Sequence, residues 1–164
     1  LTSDARVMSN FMRVEAMRSK MIFKRPIPLQ RIVGAVGDKA QKNTMGYGGR
    51  PYGVGLLVIG YDEKGPHLYE ISPSGNTLDY YGISIGSRSQ SAKTYLERNF
   101  ETFEGCDIDQ LIVHALRALN DTLQAEKELS VDNVSIAVVG KDIKFTQTSE
   151  EDISRYLNMI KQEE

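Results

Sequence analysis

The sequence contains no tryptophan, one cysteine and two histidines in 164 residues. The lone thiol, Cys106, excludes an internal disulfide and a thiolate metal cluster, and it fits a reducing compartment. His67 and His114 are too far apart in sequence for a metal-binding spacing, so no metal and no cofactor is expected. Basic residues do not outnumber acidic ones: there are 20 against 22, for a net charge of −2. That balance argues against nucleic acid or an anionic membrane as partner. No apolar run reaches membrane-spanning length, and no secretory leader is legible. The chain also opens without methionine and almost inside a helix, so Leu1 is not expected to be the natural start of the domain.

What is present is ordinary for a folded domain: 40% hydrophobic and 26% charged residues, enough for one core over residues 1–164. Ala5, Met8, Phe11, Met12 and Ala16 recur at helical spacing and predict a helix from about Ser3 to Lys20. Thr2 or Ser3 is expected to cap it, with Asp4 suiting its positive end. Its methionines read as adaptable core filler. Pro26 and Pro28 interrupt, and a second helix from about Pro28 to Lys42 buries Leu29, Ile32, Val33, Val36 and Ala40.

Val54 to Tyr61 is nearly continuous apolar sequence and predicts a strand covered on both faces. Turn residues follow at 62–65, then a strand over His67 to Ser72, a turn at 73–76, and a third strand over Thr77 to Ile85. Ser87 with Gln90 predicts a capping box for a helix ending near Asn99. Asp107 with Gln110 predicts another, for a helix over 108–123. Its buried face should be Ile108, Leu111, Ile112, Ala115, Leu116, Leu119 and Leu123, with His114 as a structural neighbour. A hairpin turning near Gly140–Asp142 and a last helix opened by Ser149 and Asp152 complete the order ααβββααββα. The acidic tail of that helix reads as a solvated end. Helix pairs alternating with doubly covered strands suit two stacked sheets between two helix layers.

The glycine-rich stretch NTMGYGGRPYGVG, residues 43–55, invites a phosphate-binding reading. The order is wrong for it. A phosphate loop runs from strand to helix and closes with Gly-Lys-Ser/Thr, whereas these glycines precede a strand and no lysine follows. Gly86 to Thr94 does join a strand to a helix, but Lys93 falls about two turns into that helix. Nucleophilic catalysis needs a base within reach of the nucleophile, and Ser87 and Ser89 have no evident histidine partner. The residues alone describe an α+β domain without a visible active site.

Several stretches, in order, carry a resemblance: LTSDARVMSNFMR, GGRPYGVGLLVIGYD, GISIGSRSQSAKTYLER and VDNVSIAVVGKD. Together they resemble the α-type subunits of the 20S proteasome along the whole chain. The Arg50-Pro51-Tyr52-Gly53 motif is the most specific of them. The resemblance implies a four-layer αββα sandwich of the N-terminal nucleophile hydrolase type, here incomplete at its N-terminus. The family's tail, first short helix and early strands would precede Leu1. It gives Arg50 to Gly53 a structural role, with Pro51 stiffening the turn and Arg50 bonding carbonyls or a carboxylate.

Active β-type relatives use an N-terminal threonine. Thr2, at a helix start, does not fit that role. They carry Gly-Ser-Gly-Ser where this chain has Gly86-Ser87-Arg88-Ser89, and Asp-x-x-Ser-Gly where it has Asp132-Asn133-Val134-Ser135-Ile136. Arg88 and Ile136 therefore replace glycines, and Ser89 and Asp132 are expected to be degenerate active-site remnants. The implied function is non-catalytic: a ring subunit, cytoplasmic and nuclear, that helps gate substrate entry. Its implied partners are other α-type subunits, β-type subunits and proteasome activators. The alternatives are a catalytic β-type threonine protease or other N-terminal nucleophile hydrolase, and a free-standing ligand-binding domain.

Overall fold

A computed structural model describes residues 1–124 and 127–162. The element order is as read, with one added 3₁₀ helix at Phe100–Gly105. The chain divides into two compact units, Leu1–Tyr80 and Tyr81–Glu164, each with its own core.

In the first unit, helix α1 spans Thr2–Phe23 and helix α2 spans Leu29–Met45. Between them Lys24 takes a left-handed conformation, φ 58°, and its N–H closes on the Lys20 carbonyl. Neither Thr2 nor Ser3 caps α1. The helix starts one residue earlier than expected, Leu1 holds the cap position, and both hydroxyl residues are already helical. Strands β1 (Leu56–Asp62), β2 (Gly65–Ile71) and β3 (Thr77–Asp79) form an antiparallel meander. Leu56 lies opposite Ile71, and Val58 opposite Tyr69.

Those four side chains share one sheet face. Met8 of α1 and Leu29, Val33, Val36 and Ala40 of α2 complete the core with them. Burial of each large apolar side chain contributes roughly 1.5–3 kcal/mol. Two of the methionines on α1 do not fill that core: Met17 is 60% and Met21 75% exposed. They lie on the opposite side of the helix from Met8.

The expectation of a doubly covered β1 does not hold within the described residues. Leu57, Ile59 and Tyr61 point away from the helices and are 39%, 42% and 40% exposed. A run that is apolar on both faces shows that both can be covered, not what covers them. The third strand is also shorter than predicted. Its ladder runs from Thr77 to Asp79, with one further bond from the Tyr80 N–H to the Leu68 carbonyl. A strand is defined by its ladder, and β-compatible sequence through Ile85 finds no described partner.

The turn between β2 and β3 approaches α2 closely. Gly75 sits at φ 92°, and a Cβ there would come within 2.5 Å of the Gly37 carbonyl. A Cβ on Gly37 would in turn lie 2.8 Å from the Gly75 carbonyl. This contact of backbone against backbone demands glycine on both sides.

The second unit contains α3 (Ser89–Asn99), α4 (Ile108–Asn120), β4 (Ala137–Gly140), β5 (Ile143–Gln147) and α5 (Glu150–Gln162). β4 and β5 pair as a hairpin, with Asp142 at φ 60° in its turn. The Asp107–Gln110 capping box forms with both of its bonds, at 2.8 and 3.0 Å. Ser149 likewise opens α5 together with Asp152. The tail residues Glu163 and Glu164 lie outside the described residues.

Ser87, by contrast, caps nothing. Arg88, left-handed at φ 58°, holds the cap position of α3 without a side-chain bond. The turn is closed by backbone alone, from the Ser89 N–H to the Gly86 carbonyl.

The buried face of α4 also differs from the predicted one. Ile112 and Leu116 are buried as expected, joined by Val113 and Ala118, while Ile108, Leu111, Ala115 and Leu119 are exposed. Leu123 lies beyond the helix end. The apolar stripe is wide, and α5 packs on one edge of it through Ile153, Tyr156, Leu157 and Ile160. Periodicity cannot say which edge a neighbour selects.

Candidate functional site

The Arg50–Gly53 motif is tied to the start of α1. Arg50 grips the Asp4 carboxylate with two parallel bonds, Nη1 to Oδ2 at 2.7 Å and Nη2 to Oδ1 at 2.9 Å. The Gly53 N–H donates to the same Oδ2 at 2.8 Å, and Arg50 Nη1 also reaches the Pro51 carbonyl at 3.0 Å. Asp4 is buried, whereas the outer edge of the guanidinium faces solvent. Tyr52 packs against the core, and Pro51 is exposed.

The Arg50 bonds, then the Gly53 N–H, hold the Asp4 carboxyl at about 2 although burial acts to raise it. The Asp4 hydrogen bond and charge in turn raise the Arg50 guanidinium above its ordinary value. A planar fork on a planar carboxylate is the strongest common geometry for such a pair. The tie fastens a loop to a helix across 46 residues, and it leaves Arg50 unavailable as a free anion receptor.

A second polar cluster lies at the β1–β2 turn. Asp62 Oδ2 accepts the Leu29 N–H at 3.2 Å and so caps α2 from another element, since Pro28 offers no cap of its own. Asp62 Oδ1 accepts the Lys64 N–H at 2.8 Å and faces His67 Nε2 at 3.1 Å. The other ring nitrogen of His67 lies 3.5 Å from Asp79, and the ring stacks on Tyr69. Burial raises the Asp62 carboxyl, but the Lys64, Leu29 and His67 donors outweigh it and leave the group below its usual value. Burial and then the Asp79 charge push the Tyr69 hydroxyl up. Asp62, His67 and Asp79 thus lash the turn, α2 and β3 together. Among the described residues no serine, threonine or cysteine takes part in this cluster.

In the second unit His114 packs as a structural residue. Its Nδ1 lies 2.9 Å from the Tyr95 hydroxyl, and its ring meets Phe103 edge-on. Burial, aided by the charge of Arg117, lowers its pKa. Tyr156 donates to Asp109 at 2.6 Å and accepts from Arg155 at 3.0 Å, joining α5 to α4.

Among the described residues Ser89 and Asp132, the expected remnants, are not joined in one polar cluster. Ser89 is the first residue of α3, and Asp132 is exposed in the turn before β4. Among the described residues neither side chain makes a hydrogen bond or ion pair, with the other or with any histidine. Ile136 packs against the unit's core, and Asn133 closes the turn by accepting the Ser130 N–H and donating to the Glu128 carbonyl. Among the described residues no group of three His, Cys, Asp or Glu side chains could hold a metal ion.

Geometry therefore defines a mixed α+β domain whose best-built polar sites are fasteners. Its sequence matches the proteasome subunit family over residues 1–139. It is 56% identical over 160 residues to a probable proteasome subunit alpha type-6 of Schizosaccharomyces pombe, covering 98% of this chain and 59% of that protein. It is 50% identical to proteasome subunit alpha type-1 of Dictyostelium discoideum, over 100% of this chain and 66% of that protein. It is also 50% identical to proteasome subunit alpha type-6 of Saccharomyces cerevisiae, over 96% of this chain and 68% of that protein. The chain thus spans about three fifths to two thirds of the length of these curated relatives. The chain belongs to the proteasome subunit family, and these relatives are all α-type subunits.

Proposed function

We propose that the chain serves as a non-catalytic structural subunit of the α ring of the 20S proteasome. In that role it contributes to ring assembly, to gating of substrate entry and to docking of activators in ubiquitin-dependent protein degradation. Its partners on this reading are other α-type and β-type subunits, and its place is the cytoplasm and nucleus. The similarity to α-type subunits along nearly the whole chain supports this.

The observation that carries the non-catalytic part is the backbone at Arg88. It keeps the left-handed conformation that glycine favours, φ 58°, yet bears a long side chain. Active β-type relatives have glycine there, which suits a nucleophile site that the backbone must approach closely. On this reading Arg88 and the core-packed Ile136 stand where active relatives have glycine, and Ser89 and Asp132 are then remnants. The fold on this reading is the four-layer αββα sandwich. The exposed apolar side chains Leu57, Ile59, Tyr61 and Leu78 suit a sheet face that a second sheet covers.

The test is to purify the full-length protein alone and assay it with a fluorogenic peptide and an inhibitor that reacts with N-terminal threonine. No turnover and no labelling are expected, together with incorporation into the ring when the other α-type subunits are co-expressed. Inhibitor-sensitive turnover by the lone protein would establish a catalytic subunit instead.

A further inference from the structure

The first unit has a cleft of about 210 Å³ beside the Asp62 cluster. One wall is the linker from α1 to α2, with Arg25, Pro26, Ile27, Pro28 and Gln30. The other is the β1–β2 turn, with Tyr61, Asp62, Glu63, Lys64 and His67. Its walls are preformed. Two prolines restrict the linker, and the Asp62 bond to the Leu29 N–H fastens linker to turn. The volume falls below the roughly 300–1,000 Å³ of sites for drug-sized ligands, so it suits a single ring or branched alkyl group. Pro26, Ile27, Pro28 and Tyr61 supply the apolar contact for such a group.

The polar groups of the cleft are unequally committed. Both oxygens of Asp62 already accept bonds, from Leu29, Lys64 and His67. The side chains of Arg25 and Lys64 have no acidic partner among the described residues. The formal charges of the two acids and two cations cancel, but the unspent donors outnumber the unspent acceptors. Among the lining side chains Arg25, Lys64 and the Gln30 amide can donate, Glu63 and the Gln30 carbonyl can accept, and the Tyr61 hydroxyl can do either. A guanidinium and an ammonium lining the same cleft as apolar side chains match an anion attached to an apolar group.

We propose that this cleft binds a ligand consisting of one aromatic or branched aliphatic group that carries a carboxylate. The apolar group lies against Pro26, Ile27, Pro28 and Tyr61, and the carboxylate meets Arg25 and Lys64. The residues that line the cleft include neither partner of the Arg50–Asp4 tie. It stands or falls independently of the assembly reading.

The Ile27 δ-methyl group in the cleft wall is a direct reporter. Full-length protein with labelled isoleucine methyl groups is titrated with 3-phenylpropanoate, with 3-phenylpropylamine and with the capped dipeptide N-acetyl-Phe-Glu-amide. Saturable movement of the Ile27 signal is expected with the acids and little with the amine. Tighter binding of the free acid assigns a small-molecule site, and tighter binding of the dipeptide assigns recognition of a peptide. The double variant Arg25→Glu with Lys64→Glu should bind the acids about three- to tenfold more weakly. Lys24→Glu, a neighbouring cation that does not line the cleft, should bind them unchanged. Both variants alter exposed side chains, and an unmoved signal from the core residue Ile71 without ligand verifies their folding. Absence of saturable movement with both acids, equal response to the amine, or equal weakening by Lys24→Glu would overturn the proposal.

Discussion

The two units of this chain bury similar aliphatic cores, yet they are closed by different devices. In Leu1–Tyr80 the closing contacts involve main chain. Gly37 and Gly75 meet backbone to backbone, Asp4 receives the Gly53 N–H beside Arg50, and Asp62 receives the Leu29 N–H. From Tyr81 onward the closing contacts are between side chains: Tyr156 with Asp109 and Arg155, and Tyr95 with His114. Main-chain contacts tolerate few replacements, because a single Cβ or a lost carboxylate strikes or strands the backbone. Side-chain contacts between helices tolerate substitutions that conserve volume and polarity. The first unit should therefore depend on a few unforgiving glycine and aspartate positions, and the second on the bulk of its core.

The largest expected effect breaks the second unit at its centre. Leu116 is 1% exposed, and Leu116→Ala should cost about 3–4 kcal/mol in a denaturant titration, whereas Leu116→Met should cost less than about 1.5 kcal/mol. Next comes the glycine contact of the first unit. Gly75→Ala adds only a methyl group but places it 2.5 Å from the Gly37 carbonyl at φ 92°, and about 2–3 kcal/mol of stability should be lost. If Gly75→Ala proved harmless, the contrast between the units would fail.

The capping sites give a smaller, sharper comparison. Asp107→Ala removes a formed capping box and should cost about 1 kcal/mol. Ser87→Ala removes a hydroxyl that caps nothing and should change stability by less than about 0.5 kcal/mol.

Acid titration separates the units by pH. His114 has a lowered pKa in the fold, so stability should begin to erode as pH falls below its ordinary 6.5. The Asp4 carboxyl falls from an ordinary 3.8 to about 2, so its contribution is whole above 3.8, fades below it and is gone under about 2. Asp4→Asn should lower stability near neutral pH and flatten the acid limb of the unfolding curve. His114→Gln should flatten the limb nearer neutrality. The Asp4 change should be modest, because solvent screens the open side of Arg50.

Much of this was legible in the chain itself. The stripe of α2, the three-stranded meander, the Asp107–Gln110 box and the Ser149 start of α5 are local patterns, and local patterns survive folding when nothing competes. Ser87 with Gln90 shows the opposite. The pattern is present, but Gly86 and Arg88 both adopt positive φ, and the backbone closes the turn before the hydroxyl can. Arg50 was legible as the donor of the glycine-rich turn, but not its acceptor. Asp4 reads in sequence as a helix-dipole residue, and no local signal links it to a position 46 residues away. Asp62 as the cap of α2, and His67 between two carboxylates, were hidden for the same reason.

Sequence alone determined the periodicities, the helix starts at Asp107 and Ser149, the family and the residue types that the Arg50–Gly53 turn would use. Only the tertiary structure decided which acid Arg50 holds, which edge of α4 is buried, where β3 stops and which glycines touch. The physical reason is range: propensity and capping act within a few residues, whereas ladders, ion pairs and close backbone contacts exist only once distant segments meet.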